Sequence, residues 1–441
     1  MSSAWPERVI EAGTLFLLVF APLAFGTVEP WSEAIAELVV LAIAATYVLG
    51  MLRHWEFRVE LPPGWFPALL FLALVFVRTL PRLGAARSLD PHATWREGVK
   101  LLTVAGFFIV CYNTYRTAAR ARRAVWTMVV TGTVISIFGI AERVTWNGRL
   151  YWIGPPAPVN SSPFGPYVNR AHFAGLMVIV VPVALAFGLA ATRGAHRGRR
   201  ARRWADRLKE WSTERGATRL IPFLVLVMGG AALVSGSRGG LVALAAGLLV
   251  MSGRLWAQGE RGRGRAARVL LAAVLIVLTG AWISGDVLYG TVERLADEVG
   301  RPTESTRLFL WMDALRLWRE APALGTGLAT FAVAYPHVRT FRAPVTFTHA
   351  ESDWVELLAD TGAVGLGLAL AATAALGLAL RRRLRHAGSR WARALTLAGL
   401  VALVGTAVQG VANYNLPVLS NFLYLAVVVA LSRSGHASPE G

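Results

Sequence analysis

Residues 348–380 read THAESDWVELLADTGAVGLGLALAATAALGLAL, and this stretch indicates the kind of fold that the chain adopts. From Trp354 onward the sequence is apolar for long enough to cross a hydrocarbon core of ~30 Å as a helix. If the run is helical, four polar side chains lie on one face, those of His349, Asp353, Glu356 and Asp360. Such groups are costly in lipid, so the stripe predicts either a functional site or buried partners on neighbouring helices.

Apolar runs of similar length recur along the chain, which has 441 residues, 55% of them hydrophobic and 16% charged. We therefore predict an all-α, polytopic membrane protein with about 12 transmembrane helices. The predicted spans are residues 9–27, 35–52, 64–80, 98–112, 124–141, 172–192, 220–234, 239–251, 269–284, 354–380, 394–411 and 416–431. The single Cys111 excludes an internal disulfide.

The formal net charge of +19 reflects basic loops between the spans, and the sequence contains no nucleic-acid-binding module. Loops on one side hold 29 Lys and Arg residues and loops on the other hold 16, which predicts that both termini are cytoplasmic. The long polar segment 285–353 then lies outside the cytoplasm. The predicted divisions are residues 1–284 with nine spans, 285–353 as an outer helical loop domain, and 354–441 with three spans and a cytoplasmic tail.

The loop domain is expected to contain an amphipathic helix that lies on the membrane or caps the spans. Residues 303–306, TEST, predict its start, and apolar residues then recur at helical spacing. These apolar positions are Leu308, Trp311, Met312, Leu315 and Trp318. Arg307 falls in the first turn, where a cation opposes the helix dipole, so it either pairs with Glu304 or binds an anion. An irregular loop is expected from Pro322 onward.

Two further basic positions are candidates for anion binding at the outer membrane boundary. The bend at residues 235–240, SGSRGG, separates two short apolar runs and carries Arg238, which needs a counter-anion unless it reaches the interface. Glycine allows backbone amides to approach a phosphate closely. Arg170 and His172 begin the sixth span, where Arg170 could bind phosphate or lipid headgroups and His172 could be a core residue.

A metal site is an alternative for the acidic pair Glu351 and Asp353, since carboxylates suit divalent cations. No second carboxylate pair, Cys pair or His pair accompanies them, which favours a site without a metal or cofactor. Arginine is suited to clamp a pyrophosphate through paired charged hydrogen bonds. A His side chain such as His349 can take the proton from an attacking hydroxyl. Together these groups predict glycosyl transfer from a lipid pyrophosphate.

Five stretches in this order resemble the O-antigen ligase/polymerase superfamily of bacterial inner-membrane glycosyltransferases. They are FGPYVNRAHFAG at 164–175, SGSRGG at 235–240, STR at 305–307 with Trp311, APALGTG at 321–327, and His349 followed by ELLADTGAVGL at 356–366. The resemblance implies a GT-C-type helical membrane fold with a periplasmic loop domain over the active site. It implies an undecaprenyl-pyrophosphate-linked glycan as donor and metal-independent transfer with inversion.

By position, the resemblance implies that Arg238 and Arg307 bind the diphosphate and that His349 is the base or orients the acceptor. We place Arg170, His172 and Asp353 among the substrate-binding residues. The chain departs from the pattern of the family at two places. Glu351-Ser352-Asp353 follows His349, where many members have another polar pair, and Asp360 stands where the family usually has Glu. The first departure could alter the choice of acceptor.

The leading hypothesis is an O-antigen ligase whose acceptor is a sugar hydroxyl of lipid A–core. The first alternative is a polymerase of O-antigen or exopolysaccharide that uses a second lipid-linked repeat unit as acceptor. A transporter or flippase for lipid-linked glycans is the alternative from another class, and it predicts charges near the midplane and related halves, neither of which the sequence shows. A scaffold for other polysaccharide enzymes would leave Arg238 and His349 without a purpose.

Overall fold

The computed structural model of the chain is all-helical, with no strand among the residues that it describes. It describes residues 5–55, 57–81, 87–154, 156, 161–191, 220–260, 262–276, 278, 304–341, 346–415 and 417–434. The helices are α1 (Trp5–Leu23), α2 (Pro30–His54), α3 (Trp65–Val77), α4 (Pro91–Thr114), α5 (Ala118–Val144), α6 (Arg170–Ala191), α7 (Ile221–Val234), α8 (Arg238–Trp256), α9 (262–276), α10 (Glu304–Glu320), α11 (Phe331–Val338), α12 (Asp353–His386), α13 (Arg390–Ala412) and α14 (Leu419–Leu431).

The predicted fold class is confirmed, because most of the described residues of each predicted span lie in a helix. Six helices in the described part are long and apolar enough to cross a membrane, namely α2, α5, α6, α8, α12 and α13. Three shorter apolar helices, α3, α7 and α14, coincide with predicted spans, as do α1, α4 and α9. The second half of the ninth predicted span and the boundary at residue 284 lie outside the described residues, so the predicted domain division stays a prediction.

The spans differ in how much of their surface other helices cover. In α6 and α13, 83% and 72% of the most apolar window is buried inside the bundle. In α2 and α12 the buried share is 22% and 11%. Because α6 and α13 pack against each other and against α8, they form the centre of the bundle, whereas α2 and α12 present apolar faces to lipid.

Six helices begin at the same end of the bundle, namely α2, α4, α6, α8, α12 and α14. The first turns of α6, α8 and α12 contact residues 409–421, and Lys100 of α4 donates to the carbonyl of Pro417 and pairs with Glu33 of α2, which shows this shared end. Polar side chains cap several of these starts, because the first backbone amides of a helix lack internal partners. Asp90 caps α4, Ser237 caps α8 and Ser352 caps α12. The same end therefore collects helix N-termini and polar side chains.

The described part of the loop domain has its own small core, separate from the core of the spans. Leu310, Ala314 and Leu317 of α10 are buried there against α11 and the start of α12. The predicted apolar face of α10 is mostly exposed instead, with Leu308 and Met312 more than half exposed. An exposed apolar face suits a helix that lies on a membrane. The irregular loop expected from Pro322 onward is present over residues 321–330, and the short helix α11 follows it.

The glycine-rich loop after α10 docks into a break in α12. At Gly362 the backbone has φ 67° and ψ −172°, a conformation that is almost confined to glycine. The amides of Thr326 and Gly327 donate to the carbonyls of Ala359 and Asp360, over 3.1 and 2.7 Å. The loop thus satisfies backbone groups that the break leaves open, and it ties the loop domain to α12.

Candidate active site

The candidate site lies where the first turns of α6, α8 and α12 meet the link between α13 and α14. Gln409, near the end of α13, donates from Nε2 to the carbonyl oxygen of Ala171 in α6 over 2.9 Å. A Cβ atom at Gly239 in α8 would come within 2.1 Å of Asn413 Nδ2, so the Asn413 side chain packs directly on the backbone of α8. The backbone amide of Asp353, the first residue of α12, donates to the carbonyl of Asn413 over 3.2 Å.

His349 lies just before α12 and is held by a glutamate from the first turn of that helix. Its Nδ1 is 2.9 Å from Glu356 Oε1, and the amide of Ala350 donates to Glu356 Oε2 over 2.8 Å. Burial by itself would lower the pKa of His349, but the carboxylates of Glu356, Glu351 and Glu97 raise it, and the net shift is upward. When Nδ1 donates to Glu356, Nε2 is the ring nitrogen that can accept a proton.

Tyr414 is central to this arrangement, and the sequence analysis did not single it out. Its ring stacks on the ring of His349, with centroids 4.1 Å apart and planes 16° apart. His172 meets the same ring edge-on at 4.9 Å. Burial raises the pKa of the Tyr414 hydroxyl to about 12, and a hydrogen bond with Asn169 opposes this shift. Tyr414 therefore places His349 and His172 on one neutral aromatic side chain.

Arg307 reaches the same region from the first turn of α10. Its Nη2 is 3.5 Å from Glu351 Oε2, and its Nε is buried without a hydrogen bond among the described residues. One turn later, Trp311 donates from Nε1 to the carbonyl of Ala350 over 3.0 Å. The carboxylate that faces Arg307 is that of Glu351, whereas the sequence predicts Glu304 or a bound anion as its partner. The side chain of Glu304 lies outside those that the structure describes.

Arg238 and Arg170 lie at the starts of α8 and α6, both exposed. Ser237 accepts a hydrogen bond from the amide of Gly240 over 3.3 Å and fixes the first turn of α8. A Cβ atom at Gly236, which has φ +67°, would lie 3.4 Å from Arg170 Nη1. The guanidinium of Arg170 is thus beside the bend that carries Arg238, as an anion site with two cations requires.

His172 and Asp353 are both buried, which limits how they can act. The carbonyl of His172 accepts from Asn421 Nδ2 over 2.9 Å, while its Nε2 is buried without a hydrogen bond among the described residues. The carboxylate of Asp353 accepts from the amide of Asn415 over 3.0 and 3.1 Å. Asp353 therefore anchors the link that carries Tyr414, and its predicted substrate-binding role stays a prediction.

An ion-pair cluster of α2 and α4 lies beside the link that carries Tyr414. Lys100 Nζ is 3.0 Å from both Glu33 Oε1 and Glu97 Oε2, and it donates to the carbonyl of Pro417 over 3.4 Å. Glu97 is also one of the carboxylates that raise the pKa of His349. Within the described ranges, no group of three or more His, Cys, Asp or Glu side chains is arranged to hold a metal ion.

The fold and the site define a class of protein. It is a multi-pass helical membrane protein with a His–Glu pair and several arginines at one end. The family model described as O-antigen ligase matches residues 223–370, from α7 to the middle of α12. This match supports the O-antigen ligase/polymerase superfamily and confirms the resemblance given by the motifs. It supports a membrane glycosyltransferase that acts on lipid-linked glycans. No protein among the curated sequences matches the chain.

The matched residues include Arg238, Arg307, His349 and Glu356, whereas Arg170, His172 and Tyr414 lie outside them. The structure brings Arg307 and His349 together through residues 349–351, and Arg170 beside the bend before Arg238. The roles of all these residues in binding and catalysis stay predictions.

Proposed function

We propose that this protein is an O-antigen ligase, which transfers a glycan from an undecaprenyl-pyrophosphate carrier to a sugar hydroxyl of lipid A–core. The observation that carries the proposal is the contact between His349 Nδ1 and Glu356 Oε1, made beside an Arg307 whose Nε has no hydrogen bond among the described residues. A base oriented by a carboxylate and a cation with unused donor capacity are the two groups that such a transfer requires.

In the proposed reaction, the acceptor hydroxyl oxygen attacks C1 of the sugar that is linked to the carrier. Nε2 of His349 takes the proton of that hydroxyl, and Glu356 stabilises the imidazolium that forms. The bond between C1 and the diphosphate oxygen breaks, and the carrier diphosphate leaves with the electron pair. Arg307 and Arg238 stabilise its charge, with Arg170 beside them. Attack opposite the leaving group inverts the anomeric centre.

The proposed location is the bacterial inner membrane with the site facing the periplasm. The bias of 29 Lys and Arg residues against 16 supports cytoplasmic termini, and the site lies at the opposite end of the bundle. The loop domain 285–353 then lies over the site on the periplasmic side, where the exposed apolar face of α10 meets the membrane surface.

The test uses purified protein in nanodiscs with a lipid-linked glycan and lipid A–core, and it measures the product by mass spectrometry. His349→Ala, Arg307→Ala and Arg238→Ala are each expected to lower the rate at least ~100-fold, since each removes a proton acceptor or a charge-stabilising group. Matched controls remove the same side chains elsewhere: exposed His337, exposed Arg319 at the end of α10, and Arg254 at the far end of α8. Wild-type rates in all three site variants would contradict the proposal.

The same reaction separates the ligase from the alternatives. Lipid A–core that carries the glycan is the product expected of a ligase. Longer lipid-linked chains, formed from donor alone, would identify a polymerase instead. Glycan that crosses the bilayer of a proteoliposome without a new glycosidic bond would identify a transporter.

A further inference from the structure

The segment 349–351, just before α12, contacts both Glu356 and the first two turns of α10. His349 contacts Glu356 through its ring, and the amide of Ala350 donates to the other oxygen of the same carboxylate. The carbonyl of Ala350 accepts from Trp311, while Glu351 faces Arg307. Arg307 and His349 are therefore linked through one short segment.

The pair formed by Glu351 and Arg307 is weakly held. Its closest atoms are 3.5 Å apart, and the two side chains are 20% and 34% exposed. Glu351 also has φ +55°, a left-handed conformation that costs free energy in a residue other than glycine. The Nε of Arg307 is buried and makes no hydrogen bond among the described residues. Because the ion pair is long and Glu351 is strained, Arg307 is suited to exchange Glu351 for another anion.

We infer that Glu351 is a positioning residue whose carboxylate holds Arg307 until the diphosphate of the donor takes the place of Glu351. The carboxylate of Glu351 then acts on His349. This inference rests on the proposed function. The diphosphate offers Arg307 more charge and more acceptor oxygens than one carboxylate does, so the exchange favours the bound donor. Burial and Glu356 raise the pKa of Glu351, whereas Arg307 and His349 lower it, so the imidazolium of His349 is the cation that remains beside Glu351 once Arg307 turns to the diphosphate. Glu351 then favours the protonated form of that ring.

The charged groups around His349 determine how strong this coupling is. Glu356 faces it from α12, Glu97 from α4, and Glu351 from its own segment, and all three raise the pKa of His349. His172 from α6 lies on the other side of the Tyr414 ring, at its edge. Arg307 reaches this set through Glu351. Loss of that one cation changes the field at His349 in the direction of a stronger base.

Two substitutions separate the two roles of Glu351. Glu351→Gln keeps the shape and removes the charge, so the KM for the donor should fall about two- to fivefold because the competing ion pair is gone. The acidic limb of the pH–rate profile should move to lower pH by about half a unit, and kcat should fall with it. Glu351→Asp keeps the charge but shortens the reach to Arg307, so the KM should fall while the acidic limb stays in place.

Glu320→Gln is the matched control, because Glu320 lies in the exposed last turn of α10 and pairs with His337. It should leave the donor KM and the pH profile unchanged. Melting temperatures in detergent show whether each variant folds. If Glu351→Gln does not fold, the donor KM of Glu351→Asp tests whether the diphosphate displaces Glu351 from Arg307. An unchanged or higher donor KM in the folded variants overturns the inference, as does a lower kcat with an unmoved acidic limb in Glu351→Gln.

These outcomes distinguish a failure of the inference from a failure of the proposed function. If Arg307→Ala is inactive and both Glu351 variants have wild-type KM values and pH profiles, the ligase proposal stands and the role of Glu351 fails. If His349→Ala, Arg307→Ala and Arg238→Ala all retain wild-type rates, the proposed function fails, and the role of Glu351 fails with it.

Discussion

Glu356 uses both of its carboxylate oxygens to hold the segment that precedes α12. One oxygen contacts His349 and the other accepts the amide of Ala350. Glutamine has the same shape and could keep one of these contacts, but it carries no charge. The charge of Glu356 is therefore the property that a substitution can isolate.

We predict that Glu356→Gln lowers the pKa of His349, because Glu356 is the largest of the charges that raise it. The transfer rate at neutral pH should fall about tenfold or more, with the acidic limb of the pH–rate profile at lower pH than in the wild type. Glu60→Gln is the control, because Glu60 pairs with Arg116 and Arg433 at the far end of the bundle. An unmoved acidic limb would show that Glu356 does not set the basicity of His349.

The same shift has a consequence for stability. A His whose pKa is raised on folding stabilises the protein fully below its ordinary pKa of 6.5, and this stability is lost as pH rises through the raised value. The melting temperature of the wild type should therefore exceed that of Glu356→Gln most clearly near pH 5.5. The difference should shrink as the pH rises toward 9, and a difference that grows with pH would contradict the assigned pair.

At the scale of elements, the break in α12 connects the loop domain to the spans. A Cβ atom at Gly362 would lie 2.3 Å from backbone atoms of Ala323 and 2.5 Å from the amide nitrogen of Leu324. Neither neighbour can move without displacing the loop that fills the break. Gly325 lies on the loop side of the same contact, and a Cβ atom there would lie 2.4 Å from backbone atoms of Asp360.

We predict that Gly362→Ala destabilises the protein by about 2–4 kcal/mol, because it adds both a clash and an unfavourable backbone conformation. Gly367→Ala is the matched control in the same helix, since a Cβ atom there meets nothing within 4 Å. It should be neutral or slightly stabilising, because alanine favours helix over glycine. Equal unfolding free energies of the two variants would show that the docked loop contributes nothing to stability.

At the scale of the whole molecule, the sequence predicts most of the spans and only part of the site. Hydropathy identifies the spans because each one must be apolar by itself. The role of Tyr414 was missed because it depends on His349 and His172, which are far away in the chain. The break at Gly362 was missed for a related reason, since the residues around it fit a continuous helix and only the docked loop distinguishes them.

Topology is the remaining property that belongs to the whole chain, and a cysteine-labelling experiment tests it. Cys111 is buried and is the single cysteine, so Cys111→Ala gives a background without reactive thiols. Ile153→Cys, at a position that is 90% exposed, reports the end of the bundle that carries the site, and Gly388→Cys reports the opposite end.

The charge bias predicts that a membrane-impermeant maleimide labels residue 153 in intact spheroplasts and labels residue 388 only after lysis. Labelling of both positions after lysis is the control for thiol reactivity. The opposite pattern would place His349 and the arginines in the cytoplasm. A ligase that takes its glycan from the periplasmic face would then have to be abandoned, even if every site variant were inactive.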